Sequence, residues 1–415
     1  MMPIALLSRG AALCLASLPA LASATPSPGT PLGPETLVYP DASAMFQWNP
    51  VVARSTSGNT AIAWGRMELS ADYEINLRWF DAADRPLAPP IVVSASASGL
   101  YRTALAVARN GTTAVGWDAG TGSGSNNQGY VVAYGPSGLR LNESSVGDQP
   151  SGSNWGPSLA IKPDGYFFAA WTNSSLGIFG RKFKPNGTMQ TPELPVSNVP
   201  PLDLVSGHVS FEDSGASAAI LNDLQIVVAW TGNGGGQAEL RMLHQTGVAN
   251  HYVRDLTYSA SSWDLDPQVV ADPAGGFVVM WTAYDGAATY AVVQRFDAKG
   301  NPRRAPVAAV SAYYGCILPQ RIAIDGRGNL GLVYLQVCSG RQGTDVALRV
   351  LDAQDRPLTG EIRVNEATFG DYEQPALAAG PAGDFVVVWY GPNTPDPHSL
   401  NWPRVAFMRH FAGAP

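Results

Sequence analysis

One motif recurs seven times along this chain and restricts the folds open to it. Each copy is a short apolar run ending in an aromatic residue: AIAW to Trp64, TAVGW to Trp117, FFAAW to Trp171, IVVAW to Trp230, FVVMW to Trp281, GLVY to Tyr334 and FVVVW to Trp389. The anchors stand 53, 54, 59, 51, 53 and 55 residues apart. A constant period of this size means one supersecondary unit repeated, each copy burying its apolar face against its neighbours.

Every unit has four parts. In the fifth, QVVAD (268–272) leads into the turn PAGG (273–276), and FVVMW follows. After a variable polar loop comes AVVQRF (291–296), then a turn, Asp297 to Pro302, then a weaker run, PVAAVS (306–311). Runs of β-branched and aromatic residues bounded by Gly, Pro, Asn and Asp are strand-and-turn chemistry. No helical period competes. Four strands per unit of about 50 residues predict an all-β chain, a seven-bladed β-propeller of four-stranded antiparallel blades. The last unit stops after its third strand, VAFMRHF (405–411), while TPLGPETLVYPDAS (30–43) matches fourth-strand segments such as RPLTGEIRVNEATF (356–369). The N-terminal segment 30–44, with Thr36–Tyr39 as its strand, is therefore expected to complete the seventh blade. Such closure removes exposed sheet edges.

The patterns DGxFVVVW, RFDAxGxP and xxVN stand here as Asp325-Gly326, Phe385–Trp389, Arg295–Pro302 and Val364-Asn365. In these the chain resembles repeats of secreted and surface-exposed bacterial propeller proteins. The resemblance spans nearly all of the sequence after residue 24 and implies extracytoplasmic binding rather than a particular chemistry.

The N-terminus fits export. Arg9 precedes an apolar run, Ala11 to Ala22, with small residues at Ala20, Ala22 and Ala24 for cleavage. Residues 1–24 read as a signal peptide, and 25–415 as the propeller. Leu13 before Cys14 argues against a lipoprotein anchor, and no second apolar run is long enough to span a bilayer. A periplasmic or secreted protein without membrane insertion is expected.

Two cysteines follow the signal, Cys316 and Cys338, each 11 residues from Arg327 at the centre of the turn Asp325-Gly-Arg-Gly-Asn329. A hairpin of 318–324 and 330–336 about that turn places them face to face. The expected disulfide closes a loop of about 23 residues, worth roughly 3 kcal/mol; the alternative is two free thiols.

With 33 acidic against 26 basic residues the net charge is −7, which argues against a nucleic-acid partner. Functional residues are expected on the face formed by the loops before the first strand and after the second, which vary most. Phe46, Trp48, Tyr101, Trp155, Trp263, Tyr313, Tyr314, Phe369 and Tyr372 enter first strands, and Tyr284 and Tyr390 follow second strands. Trp48, Tyr101, Trp155, Trp263, Tyr313 and Tyr372 are the candidate ligand-binding residues, since aromatics among amides and hydroxyls suit sugar rings. The competing reading for Trp48, Trp155 and Tyr372 is that they cap seams between blades. The strand-end tryptophans are packing residues, and Arg78, Arg181, Arg241, Arg349 and Arg409, recurring on third strands, are scaffold with inter-blade hydrogen bonds as the suggested role.

Motifs for catalysis are missing. There is no H-E-x-x-H, C-x-x-C, G-x-S-x-G, Gly-rich phosphate loop or D-x-D-x-D-G calcium loop. His208, His244, His251, His398 and His410 are scattered, and Asp164 precedes Trp171 by seven residues, not the five of a sialidase-type box. No metal or cofactor is expected. Carboxylates on the variable face, with Asp264 and Asp371 as a cross-blade pair, are the weak catalytic candidates. The leading expectation is a monomeric binding protein for a glycan or protein partner. The alternatives are a glycoside hydrolase or lyase and an envelope scaffold.

Overall fold

The computed structural model describes residues 26–414 except 41–43, 56, 69–72, 97–98, 121–126, 149–151, 198–214, 233–236, 249–252, 339–342, 367–369 and 393–403. The expected signal peptide lies outside the described residues. Among these residues every regular element is a strand.

The fifth repeat shows how the pattern becomes structure. Trp263–Ala271, Phe277–Tyr284, Ala288–Phe296 and Val307–Tyr313 form an antiparallel sheet in chain order. The first turn is set by Asp272, whose Oδ1 accepts from the Ala274 amide at 2.9 Å. The turn after the third strand is set by Asp297, whose Oδ1 accepts from Lys299 and Asn301 amides at 2.8 and 2.9 Å. Asp81, Asp325 and Asp352 make the same side-chain-to-backbone turns.

Five sheets have four strands each. The sixth contains eight: Glu373–Ala379, Phe385–Pro392, Arg404–Phe411 and Thr36–Leu37 on one side, Ala44–Arg54, Thr60–Glu68, Tyr73–Phe80 and Ile91–Ser96 on the other. A single parallel pairing, Phe46 with Arg404, joins the two halves. The N-terminal strand pairs with the last strand of the chain, Thr36 opposite Met408 and Leu37 opposite Phe407. Hydrogen bonds from Val38 N to Ala406 O and from Ala412 N to Thr30 O extend the contact.

The second strands are apolar on both sides because both sides are covered. Phe167–Asn173 and Ile226–Gly232 are buried at every position, and the six anchor tryptophans are at most 1% exposed. Each core is shared between consecutive sheets: Val227 and Ala229 pack in one cluster with Val279 and Trp281.

The recurring arginines tie sheets together. Arg78, Arg241 and Arg409 donate through Nη1 to the carbonyls of Val38, Val196 and Val364 at 2.8, 2.7 and 2.9 Å. Each of those valines follows the outer strand of the preceding repeat. Arg181 instead pairs with Asp148. In the second repeat Val132 occupies the arginine position, and Arg140, from the outer strand, donates to the Val93 carbonyl. Arg349 differs, its Nε having no hydrogen-bond partner among the described residues.

The first strands of all seven repeats line one cavity of about 290 Å³, contributing among others Asn49, Thr103, Ser158, Ser217, Gln268, Arg321 and Leu377. Bulges interrupt these strands where a residue with positive φ precedes a proline: Asn49 (50°), Gly156 (60°), Asp266 (52°) and Gln374 (51°). The bulges carry bonds between neighbours. Gln374 Oε1 accepts from the Asn49 amide at 2.6 Å, and Thr231 Oγ1 accepts from the Asp266 amide at 2.9 Å.

Candidate functional site

Pairing puts the start of each first strand beside the end of its second strand, as with Trp263 opposite Tyr284. The variable loops of a repeat therefore emerge together. Within that geometry, one counting rule sorts the candidates. The residue 17 positions before an anchor tryptophan points inward: Gln47 before Trp64, Asn154 before Trp171, Asp264 before Trp281 and Tyr372 before Trp389 are each at most 1% exposed. Residues one place to either side point away from that core, as strand alternation requires.

The inward position serves the anchor. Asn154 Oδ1 accepts from the Trp171 ring N–H at 3.2 Å, and Asp264 Oδ1 accepts from the Trp281 ring N–H at 2.8 Å. Asp264 also accepts from Ser262 Oγ at 2.9 Å and from the Tyr258 amide. Burial pushes its carboxyl above the ordinary range, against these hydrogen bonds. A neutral asparagine does the same work two repeats earlier, so Asp264 is a packing acceptor. Asp371 is half exposed and lies 3.9 Å from Arg404, which also holds Glu373 at 2.8 Å. Neither Asp264 nor Asp371 lines the central cavity; Asp264 stands in the first strand of the fifth repeat and Asp371 just before that of the seventh.

Tyr372, expected on the binding face, is a core residue. Its ring lies over Gly391, where an added Cβ would sit 2.3 Å from the ring, and burial pushes its phenol up to about 12. Trp48 is half-buried for a similar reason: it faces Gly65 across the strands, and an added Cβ there would sit 2.2 Å from the indole. Its ring meets Tyr73 edge-on at 5.9 Å. Trp155, also half-buried, lies 4.5 Å under the Arg102 guanidinium. Tyr372 packs with Val333 and Val346 of the preceding sheet and Trp155 meets Arg102 of the preceding repeat, as seam residues would, whereas these contacts of Trp48 lie within its own repeat. Tyr101 sits in the strand Leu100–Val107, with its side chain outside the described residues.

Trp263 and Tyr313 behave differently. They are 58% and 79% exposed, and Tyr314 is 45% exposed. These are the exposed aromatic side chains among the described residues. Tyr284, opposite Trp263 in register and thus on the same side of the sheet, meets Tyr314 edge-on at 5.6 Å. Burial, with Asp266 and Tyr314 nearby, raises the Tyr284 phenol well above its ordinary range. The loops bearing these rings are fixed. Asp285 accepts from the Ala287 and Ala288 amides and from the Tyr290 hydroxyl at 2.7 Å. Tyr314 N donates to Ala287 O, and Gly315 N donates to Thr289 Oγ1 at 2.9 Å.

The two cysteines are bonded, with Cα atoms 4.8 Å apart. The flanking strands are Ile317–Ile324 and Leu330–Gln336, as the turn sequence implied. The bridge secures the loop Tyr313–Cys316, which the sequence did not connect with the aromatic residues. Among the described residues no group of three or more His, Cys, Asp or Glu side chains could hold a metal ion. Of the histidines, His244 lies in a turn with Thr246, and His410 contacts Asp84 at 2.8 Å; the other three lie outside the described residues.

No protein-family model matches the chain, and no curated protein matches it. Solved structures do. A Dyadobacter fermentans protein of unknown function aligns with a TM-score of 0.54 at 12% identity, over 92% of this chain and 98% of that one. Hydrazine synthase from Kuenenia stuttgartiensis aligns with a TM-score of 0.51 at 15% identity, over 86% and 95%. The fold is propeller-like. At this level of identity the likeness extends to architecture and not to activity.

Proposed function

We propose that this chain is an exported, closed seven-bladed β-propeller that binds a glycan or protein ligand through its variable-loop face, without catalysis. The observation that carries the reading is the exposure of Trp263, Tyr313 and Tyr314 at the loop end of the fifth repeat, while the other described aromatic side chains of the first strands are half or fully buried. Exposed aromatic clusters on a rigid scaffold are the usual anchors of recognition. Seven blades are supported by seven first strands around one cavity, and closure by the pairing of Thr36–Leu37 with Arg404–Phe411. Export is supported by the disulfide, which needs an oxidising compartment. Binding is favoured over hydrolysis because Asp264 spends its oxygens on Trp281, Ser262 and Tyr258.

The test is a glycan array and an envelope-fraction pull-down, each run with the exported protein and with Trp263→Ala/Tyr313→Ala. Binding lost in the double variant at unchanged melting temperature supports the reading. Binding retained in full, or a Trp263-independent release of reducing sugar, overturns it.

A further inference from the structure

The turns between first and second strands lie at the opposite end of the sheets from the variable loops. There, between the third and fourth repeats, is a second cavity of about 160 Å³. Lys162, Tyr166, Phe168, Lys182, Ile220 and Ile226 are among the residues that line it. Strand register explains the gathering. Phe168 stands opposite Lys182 where Phe167–Asn173 pairs with Gly177–Phe183, so both side chains leave the same side of the sheet. That side faces the fourth repeat, because Phe168 shares one core with Ile226, and Ile220 packs against it. Lys162 joins them from the turn after the first strand. Its Nζ lies 5.0 Å from the Tyr166 ring centroid, and its charge acts on Lys182.

We infer that this cavity binds a small monocarboxylate with an apolar body of one ring or a short chain, the size of benzoate, its carboxylate held by Lys182 and Lys162. The site stands apart from the variable-loop face and does not rest on the ligand-binding reading above.

The first argument is charge. Lys162 pairs with Asp164 at 3.1 Å, and that carboxylate is half exposed. The Lys182 ammonium has no hydrogen-bond or ion-pair partner among the described residues. It is half-buried, and burial together with the Lys162 charge lowers it from its ordinary value. Two like charges at a seam between sheets are unfavourable until an anion offsets both. Asp223, on the facing turn of the fourth repeat, is engaged elsewhere: its oxygens accept from the Gln225 amide and side chain at 3.2 and 2.7 Å.

Size and lining set the rest of the ligand. A protein cavity of about 150 Å³ takes benzene, so 160 Å³ suits a single ring or its aliphatic equivalent and is too small for a disaccharide or a peptide. Tyr166, Phe168, Ile220 and Ile226 offer apolar contact to that body, while a carboxylate at the ammonium end gains charge-assisted hydrogen bonds. Inorganic phosphate has no apolar body and would leave this lining without a partner.

The experiment is calorimetric titration of the exported protein with benzoate and hexanoate, against benzamide and benzylamine as the neutral and cationic counterparts of benzoate. Benzoate or hexanoate should bind with a Kd of about 1 mM or below, the scale open to a ligand of so few atoms. Benzamide should bind at least about tenfold more weakly than benzoate. Lys182→Met keeps the apolar stem, removes the charge and should weaken carboxylate binding by about tenfold or more; should it not fold, Lys182→Gln reads the same loss. Lys162→Gln should weaken binding by only about threefold, because Asp164 already shares that ammonium. Neither charge removal should shift the melting temperature by more than about 2 °C. Trp263→Ala, at the other end of the sheets, should leave carboxylate affinity unchanged, which separates this site from the variable-loop face. Equal binding of benzoate and benzamide, tighter binding of benzylamine, or carboxylate binding untouched by loss of the Lys182 charge would each overturn the inference. So would the absence of saturable carboxylate binding up to about 10 mM.

Discussion

Removing the Cys316–Cys338 bridge by Cys338→Ser tests both the stability and the function assigned to it. The bonded residues are 22 apart in sequence, and chain-entropy loss in the unfolded state turns that into about 3 kcal/mol. Unfolding entropy of roughly 2 cal/mol/K per residue over ~390 residues gives about 0.8 kcal/mol/K, so a chain unfolding in one step should melt about 4 °C lower. The change should be felt locally as well, because each sheet contacts mainly its neighbours and the hairpin mouth is where the Tyr313–Cys316 loop is anchored. Calorimetry gives the first quantity, and hydrogen exchange followed by mass spectrometry gives the second. Exchange should quicken in peptides spanning 313–318 and 335–338, while the sheet Asn154–Ile161 to Leu194–Pro195 stays protected. A melting shift below about 1 °C together with unchanged exchange at 313–318 would refute the argument. It would mean that backbone bonds such as Val337 N to Cys316 O hold the loop alone.

Asp264→Asn should fold and keep its bond to Trp281, since Asn154 makes the equivalent bond to Trp171. Burial raises the Asp264 carboxyl in the folded state, so its stabilising contribution is fully present below the unfolded value near 4 and declines as pH rises through the folded value. Melting curves from pH 4 to 7 should therefore move in favour of the variant; a wild-type advantage that grows with pH would contradict this. Arg295 is buried with Nε 2.7 Å from Asp355 and Nη1 3.2 Å from Asp272, both carboxylates also buried. Arg295→Leu leaves Asp272 and Asp355 with only the longer contacts to Arg303 at 3.7 Å and Arg304 at 3.5 Å, and should cost about 3 kcal/mol, read by denaturant titration; a loss below about 1 kcal/mol would show that those two arginines suffice. Gly391→Ala drives a methyl into the Tyr372 ring, and should cost roughly 1–3 kcal/mol with a changed near-ultraviolet signal from the displaced ring. An unchanged spectrum and melting point would place Tyr372 outside the core.

Much of the scaffold was legible because its determinants are local or periodic. The anchors of the second strands recur with the unit, so the repeats could be counted without knowing how they pack. The disulfide was legible because Asp325-Gly-Arg-Gly-Asn329 fixes a hairpin register and thereby the distance between two residues at its open end. The arginines on third strands were recognisable as scaffold by recurrence, but their acceptors, the carbonyls of Val38, Val196 and Val364, belong to the preceding repeat. Only packing could reveal those partners.

The site divides in the same way. By sequence Trp263 and Tyr372 are alike: each is an aromatic residue entering a first strand. They differ by one step of strand alternation relative to the anchor, 18 residues before Trp281 against 17 before Trp389, and by what stands across the ladder. Gly391 opens a slot that takes the Tyr372 ring, whereas Tyr284 fills the place opposite Trp263. Sequence alone determined the kind of element, its number of copies and the bond that closes one hairpin, because each is set by residues near one another along the chain. Tertiary structure decided which aromatics face water. Bulges before Pro50, Pro157, Pro267 and Pro375 reset the alternation of four first strands, and a side chain's exposure depends on the neighbouring strand and sheet that cover it.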